Sequence, residues 1–490
     1  LQRKHSPDRE ELLRRRLAGR AGRTGSLTKA RRAARPELSF GQRRIWFIDR
    51  LQPGSAAYTI PWAHRLRGEV DRGALEAALA AVVRRHEALR TRYPADKGEP
   101  YQLVEDAPPV VRFEDLSALP DPEARAREIL AAAAQGTFDL AAGPPLRAEL
   151  LRLAPAEHVF AVTVHHIAFD GWSLGVFTRE LAECYAALRA GRGPDLPELS
   201  LQYADFAAWQ RAHLTVDRLG GHLDHWRAEL DGAPTVLELP GDHPRPEVAS
   251  HAAGEVPFVV PAATADRLRE LARAHSASLF VVMLAAYQAV LARHAATSDL
   301  LVGVPVAGRD RRELEQLIGF FAHTLPLRAR LDDDPAFTDL VARVRESALE
   351  GMSHQELPFE QLVEHLAPTR ELGRNPLVQV LFNLLTRETG TEPGALRLDG
   401  LDVTEFAAET VTTRFDLECH IHDHGSRLTG RIVYAAELFD HTTMAWFAEH
   451  LLHFVTAVAA DPSVPISDVS LVTDDELELI ARWNAASDIM

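Results

Sequence analysis

Residues 157–189 constrain the fold more than any other stretch. Glu157 to Phe169 (EHVFAVTVHHIAF) is an apolar, β-rich run that stops at Asp170-Gly171, and Ser173 to Leu188 (SLGVFTRELAECYAAL) then reads as a helix. A strand passing through a tight turn into a helix is an α/β unit, and it puts residues 165–175 at a strand's exit, a common place for chemistry in such folds. The pattern starts again beyond a Pro-rich stretch from Leu237 to Pro257, the best boundary in the chain. There Ser278 is placed to cap an apolar helix through Leu291, and Leu300 to Val306 reads as a strand running into Ala307-Gly308-Arg309. Leu428 to Ala435 reads as a further strand and Met444 to Ala459 as a helix. Upstream, Asp71 is placed to cap a helix with Leu75, Leu79, Val82 and Leu89 on one face. The expected organisation is therefore two α/β lobes, at 37–236 and 258–470, joined by 237–257, with a basic linker at 1–36 and a second linker at 471–490 that holds an acidic amphipathic segment, Asp474 to Trp483.

Composition removes several function classes. The 490 residues, 46% hydrophobic and 25% charged, are ample for packed cores. With Cys184 and Cys419 alone no disulfide framework is available, so a reducing, cytoplasmic setting is expected. No apolar run reaches the ~18 residues of a membrane span. Opening at Leu1 without a signal-peptide pattern, the chain reads as a piece of something longer. The net charge is −16, yet residues 1–36 hold 12 of the 54 Lys/Arg and 3 of the 70 Asp/Glu. An acidic body argues against nucleic acid as a partner. Residues 7–20 read as a short helix, acidic early and Arg-rich late, and the basic head lacks the interleaved aromatics of an RNA-binding arm.

The sharpest local feature is His165-His166-Ile167-Ala168-Phe169-Asp170-Gly171. A histidine titrates near neutrality, so it can take a proton from an attacking amine or alcohol and return it. Asp170 can pair with a cation and hold the turn, and glycine lets the backbone turn sharply and bring an amide close to a reacting group. Overlapping it, Gly171-Trp172-Ser173-Leu174-Gly175 is a formal G-x-S-x-G, which would make Ser173 the nucleophile of a hydrolase. His420, His422 and His424 alternate beside Cys419, either as a metal-binding strand face or as a polar face ending in a turn. Leu219-Gly220-Gly221-His222-Leu223 resembles a phosphopantetheine attachment loop with Leu223 in place of the serine, so the chain is not its own carrier. No Walker loop, G-x-G-x-x-G or H-E-x-x-H is present.

The heptad belongs to a set. With it, six further segments resemble, in order, the motifs of the condensation domains of nonribosomal peptide synthetases, whose hallmark is HHxxxDG. These are Leu38 to Trp46 (LSFGQRRIW, with Gly41 where alanine is usual), Arg85 to Thr91 (RHEALRT), Tyr203 to Trp209 (YADFAAW), Ile318 to Thr324 (IGFFAHT, with His323 where asparagine is usual), His354 to Glu360 (HQELPFE) and Arg374 to Leu377 (RNPL). The resemblance covers roughly residues 37–470. It implies a chloramphenicol acetyltransferase-like fold of two α/β lobes in a V, with a tunnel between them. Donor and acceptor carrier domains then present thioesters at opposite mouths, each on 4′-phosphopantetheine, and no cofactor is bound by the chain itself.

The implied reaction is peptide-bond formation, with His166 catalytic and the Gly171 amide a candidate oxyanion or donor-positioning group. His165, Asp170 and Arg309 are implied to be structural, with Asp170 pairing Arg309 across the lobes, and Ser173, His323 and Asn375 are candidates for the tunnel lining. The opening motif suggests the subclass joining an L-configured donor to an L-configured acceptor. A CoA-dependent acyltransferase of the same fold shares HxxxDG but lacks most of the other motifs. Inactive, partner-recruiting relatives usually lose the heptad, and cyclisation domains replace it with DxxxxD. Leu12 to Gly19 resembles a post-carrier linker and Leu477 to Ala485 the lead-in to an adenylation domain, so a monomeric fragment of a larger synthetase is expected.

Overall fold

The computed structural model describes residues 27–29, 33–366, 373–386, 396–406, 411–473, 476–478 and 481–482. The helix expected at 7–20 and the linker at Leu12 to Gly19 lie outside these residues, as does most of Leu477 to Ala485.

Helix α1 (Phe40–Leu51) starts at a reciprocal capping box, with Ser39 Oγ accepting from Gln42 N–H and Gln42 Oε1 from Ser39 N–H. Strand β1 (Thr59–Arg67) follows, then α2 (Arg72–Arg85), which Asp71 caps through a 2.9 Å bond from Ala74 N–H. This helix stops short of Leu89, which is buried in a separate 3₁₀ turn, Glu87–Arg90. Gln202 explains the break: its amide takes Glu87 N–H and donates to Arg85 O, so a tertiary contact satisfies the backbone at the helix end. Strand β2 (Val111–Asp115), α3 (Pro122–Gln135), β3 (Leu146–Ala154), β4 (Glu157–His165), α4 (Gly171–Arg189) and α5 (Tyr203–His213) complete the first lobe.

The next helix, α6 (Val216–Leu230), was expected in the first lobe, but Leu219, Leu223, Trp226 and Leu230 are buried in the core of the second. Amphipathic spacing reveals an apolar stripe and is silent about which surface covers it. The Gly-Gly pair at 220–221 lies inside this helix, so the carrier-loop resemblance has no loop behind it. The Pro-rich connection is also shorter than expected, because β5 (Ala252–Val260) already contains Pro257. Pro257 pairs with Arg431 on one side only, where its missing N–H leaves no ladder bond unmade.

The second lobe continues with α7 (Ala262–Ala274), α8 (Leu279–His294, capped by Ser278), β6 (Asp299–Val306), β7 (His323–Arg330), α9 (Phe337–Ser353), α10 (Phe359–Leu366) and β8 (Val380–Thr386). Strands β9 (Asp402–Glu405), β10 (Val411–Thr412), β11 (Leu417–Asp423) and β12 (Leu428–Ala435) precede α11 (His441–Ala460). Among the described residues the first lobe holds a five-stranded sheet, β9-β1-β4-β3-β2, and the second a seven-stranded sheet, β7-β6-β8-β11-β12-β5-β10.

Two segments cross between the lobes, so the expected boundary at 258–470 needs correction. Strand β9 leaves the second lobe and pairs with β1 (His64↔Glu405 to Arg67↔Asp402), and Leu396 and Leu398 join the first lobe's core. Residues 309–322 likewise reach across, burying Leu314, Leu317, Ile318 and Phe321 against first-lobe residues. Among the described residues no single helix is long and apolar enough to cross a membrane.

Candidate active site

Strand β4 pairs with β1 from Glu157↔Arg67 to His165↔Thr59, so the ladder runs out at the first histidine. His166 N–H still donates to Tyr58 O, at 2.8 Å, and residues His166–Ala168 then form one 3₁₀ turn. The two histidines are thereby given different tasks. His165 is buried, and its Nδ1 accepts from Ile167 N–H at 3.2 Å, which caps the turn. Burial, then the neighbouring His166, pushes its pKa down to about 3, so it stands neutral.

His166 is half-buried, and its Nδ1 lies 2.7 Å from Phe169 O. A carbonyl only accepts, so Nδ1 carries the proton and the Nε2 lone pair is left for a substrate. Burial, reinforced by Arg414 and opposed by Asp170, pushes this pKa down to about 4. Around the ring stand Phe320, edge-on at 4.9 Å between centroids, and Tyr58 at 6.3 Å. Arg414 lies over the Tyr58 ring at 5.0 Å. Phe320 falls inside a segment singled out by its resemblance, whereas nothing in the spacing of Tyr58 or Arg414 marks them.

Asp170 caps α4 and accepts five hydrogen bonds. Its Oδ1 takes Ser173 N–H and the Ser173 hydroxyl (2.9 and 2.8 Å), and its Oδ2 takes Arg309 Nη1, Phe321 N–H and Ala322 N–H (2.7, 3.0 and 3.2 Å). The Asp170 and Arg309 side chains are each 1% exposed. Burial works to raise the Asp170 pKa, but Arg309 and the backbone donors outweigh it, and the carboxyl is held below its usual value. The pair fastens the crossing segment 309–322 to the start of α4, and so fixes Phe320 beside His166.

Three expectations change here. Ser173 is no nucleophile and lines no cavity: it is the third residue of α4, fully buried, not the exposed apex of a strained turn. Its Oγ lies 2.8 Å from Asp170 Oδ1 and 3.0 Å from Gly319 O, and accepts from Gly319 N–H and Arg309 Nη2. Gly171 makes no sharp turn, since its φ is not positive. It is the exposed first residue of α4, and a Cβ there would meet nothing within 4 Å. His323, at the start of β7, does not line the cavity described below. Its Nε2 is enclosed without a hydrogen-bond partner, and burial, opposed by Glu360, lowers its pKa.

Between the lobes lies a cavity of ≈ 610 Å³, walled by α1, α10 and residues 373–376 and 413–416. Asn375 lines it and donates through Nδ2 to Arg414 O. Arg414 lines it too, as does Tyr58, whose ring centroid is 6.3 Å from that of His166. On the histidine strand at 420–424, His420 and His424 are each engaged by another side chain. Cys419 is buried on the opposite face, His420 bonds Glu418 (2.9 Å), and His424 bonds Thr429 (2.9 Å).

The condensation-domain family model matches residues 34–481. Among curated proteins, the chain is 42% identical over 457 residues to a component of the linear gramicidin synthase of Brevibacillus parabrevis, covering 92% of this chain and 6% of that protein. It is 42% identical over 456 residues to the phosphinothricin tripeptide synthetase PhsC of Streptomyces viridochromogenes, covering 91% of this chain and 41% of that one. The chain thus spans less than half the length of either relative. Among solved structures, the X-domain in its complex with OxyB from teicoplanin biosynthesis has a TM-score of 0.84 at 34% identity, over 92% of this chain and 99% of that one. The fold is the chloramphenicol acetyltransferase-like one of solved condensation domains. From its ordered motifs to the geometry that holds His166, this chain belongs to the condensation-domain family of nonribosomal peptide synthetases.

Proposed function

We propose that the domain forms a peptide bond between two carrier-bound substrates, an acyl transfer in which no nucleotide and no resident cofactor takes part. The observation that carries this is His166, with Nδ1 committed to Phe169 O and its ring beside Tyr58, which lines the inter-lobe cavity. The acceptor's α-amine attacks the donor thioester carbonyl. The C–N bond forms, the C–S bond breaks, and the donor's phosphopantetheine leaves as a thiol after taking up the amine's proton. A ring with a pKa near 4 is too weak a base to deprotonate a free ammonium group. It suits holding the neutral amine and accepting its proton from the far more acidic cationic tetrahedral species. Most of the acceleration then comes from aligning two tethered reactants, which is worth about 7–11 kcal/mol when alignment is good.

In this reading the Gly171 amide faces the donor group across the open space beside it, and Asn375 contributes to substrate fit. The substrates are an L-configured donor and an L-configured acceptor, delivered in the cytoplasm by carrier domains of one synthetase, with an adenylation domain following. Similarity to the teicoplanin X-domain, whose solved complex is with OxyB, favours one other reading, recruitment of a partner enzyme. One experiment separates them: mix a donor-loaded and an acceptor-loaded carrier with wild type, His166→Ala and Ser173→Ala, and weigh each carrier intact. Dipeptide on the acceptor carrier, lost in His166→Ala and kept in Ser173→Ala, supports condensation. No dipeptide with any enzyme overturns it in favour of recruitment, and donor acid released only when Ser173 is present would revive the hydrolase.

A further inference from the structure

Away from the cavity near His166, helices α6 and α9 bring together four groups to which the proposed reaction assigns no role. Helix α6 supplies His222 and His225, one turn apart, and the end of α9 supplies Glu350, one turn before His354. All four are half-buried. One nitrogen or oxygen from each of His225, Glu350 and His354 lies within 4.8 Å of the other two.

Hydrogen bonding assigns the donor atoms. His222 Nδ1 and His354 Nδ1 are 3.0 Å apart, and His222 Nε2 is 3.9 Å from Glu356 Oε2. The first contact commits the Nδ1 atoms of both rings, one donating and one accepting. His354 Nε2 is what remains to join His225 and Glu350. An imidazole held through its other ring nitrogen is how proteins orient a metal-binding histidine. The adjoining cavity of ≈ 290 Å³ is lined by Arg328, Arg330 and Arg343 together with Glu229, Glu346 and Glu350. Arg328 and Arg343 are each paired by a two-pronged bond, to Asp299 and Asp333 respectively.

We propose that His225, Glu350 and His354 form a divalent-metal site that takes Zn²⁺ or a similar transition metal and staples α6, the helix entering the second lobe, to α9. Two imidazoles and a carboxylate suit Zn²⁺ over Mg²⁺ or Ca²⁺, and the fourth position faces water in the adjoining cavity. Binding draws the donors in to the roughly 3.3 Å separation of a tetrahedral site. It also turns His225 out of its present stack on His354, where the rings lie 3.8 Å apart and 7° from parallel.

The test uses the whole domain, stripped with a chelator and titrated with Co²⁺, then with Zn²⁺ in competition, alongside thermal melts. The expected result is a saturable visible Co²⁺ spectrum displaced by Zn²⁺, and a melting midpoint that climbs with the logarithm of Zn²⁺ concentration. His222→Ala, which removes the orienting partner, weakens binding by about 10–100-fold. His225→Ala and the isosteric Glu350→Gln weaken it further, whereas His422→Ala leaves it unchanged. Absence of a saturable spectrum overturns the proposal. So does full-strength binding in both His225→Ala and Glu350→Gln, each checked for native circular dichroism.

Discussion

Asp170 offers the sharpest test of how the site is held. In Asp170→Ala the Arg309 guanidinium stays buried and loses its only carboxylate among the described residues, keeping Ser173 Oγ, Leu317 O and Ala307 O. Stranding one member of a buried pair costs about 3–5 kcal/mol, and losing the cap of α4 adds about 1 kcal/mol. Set against a typical total stability of about 5–15 kcal/mol, that is a large fraction. Asp170→Asn discriminates more finely, because it keeps shape and volume. Both carboxylate oxygens only accept, two donors converging on Oδ1 and three on Oδ2. Turned toward the Oδ2 side, its NH₂ meets three N–H donors, and toward the Oδ1 side it still meets Ser173 N–H, although the Ser173 hydroxyl can turn to accept, so Asn also destabilises, by about 2–4 kcal/mol. Urea unfolding reads the cost as a lower midpoint at constant slope. Replacing both charges, as in Asp170→Asn with Arg309→Met, should recover part of the loss, since the stranded charge goes with its partner. An Asn variant within about 1 kcal/mol of wild type, or a double variant no better than the sum of the singles, would refute the account.

Ser173→Ala removes a hydroxyl bonded across the lobes to Gly319 and Arg309, and should cost about 1–3 kcal/mol in urea unfolding while dipeptide formation persists. Gly41→Ala builds a Cβ 2.8 Å from the Phe320 ring, which stands edge-on to His166, so carrier mass spectrometry should show a slower condensation rate than the modest loss of stability explains. The neutral form of His166 persists in acid, so the pH–rate profile of condensation should show no histidine step near 6.5, and a step there would overturn the assignment. Acid should instead unfold the protein. His165, His166 and His294 have folded pKa values of about 3, 4 and 4, below the unfolded 6.5. Between pH 6.5 and these values the unfolded chain binds more protons, so stability falls with pH, by up to about 1.4 kcal/mol per pH unit for each histidine. Above pH 6.5 both states are neutral and the contribution vanishes, which melting midpoints against pH would reveal.

Local chemistry made some of this legible from residues alone. Asp71 and Ser278 announced their helices because a capping side chain acts on a backbone N–H three residues away. The run from Glu157 to His165 announced a strand because every side chain after the first is buried. The turn at His166, which spacing did not announce, rests on equally local bonds, His166 Nδ1 to Phe169 O and Ile167 N–H to His165 Nδ1, both made within the heptad.

What stayed hidden depends on pairs of segments far apart in the chain. Strand β9, Asp-Val-Thr-Glu, is four mostly exposed residues with no periodicity, and only its ladder to β1 makes it part of the first lobe. Helix α6 showed its apolar stripe without saying which lobe would cover it. G-x-S-x-G showed a spacing without showing that the serine lies in the first turn of a helix, accepting from a backbone N–H 146 residues away. The same holds at the centre of the site. His166 and Asp170 stand in one heptad, but Phe320, Arg309 and Arg414 reach them from the second half of the chain. Chemistry whose partners lie within one turn can be read from spacing, whereas chemistry assembled across a lobe interface needs the fold. The crossing segment 309–322 is therefore part of the candidate site: it carries the cation paired with Asp170 and the ring that stands edge-on to His166, so the lobes cannot separate there without dismantling both.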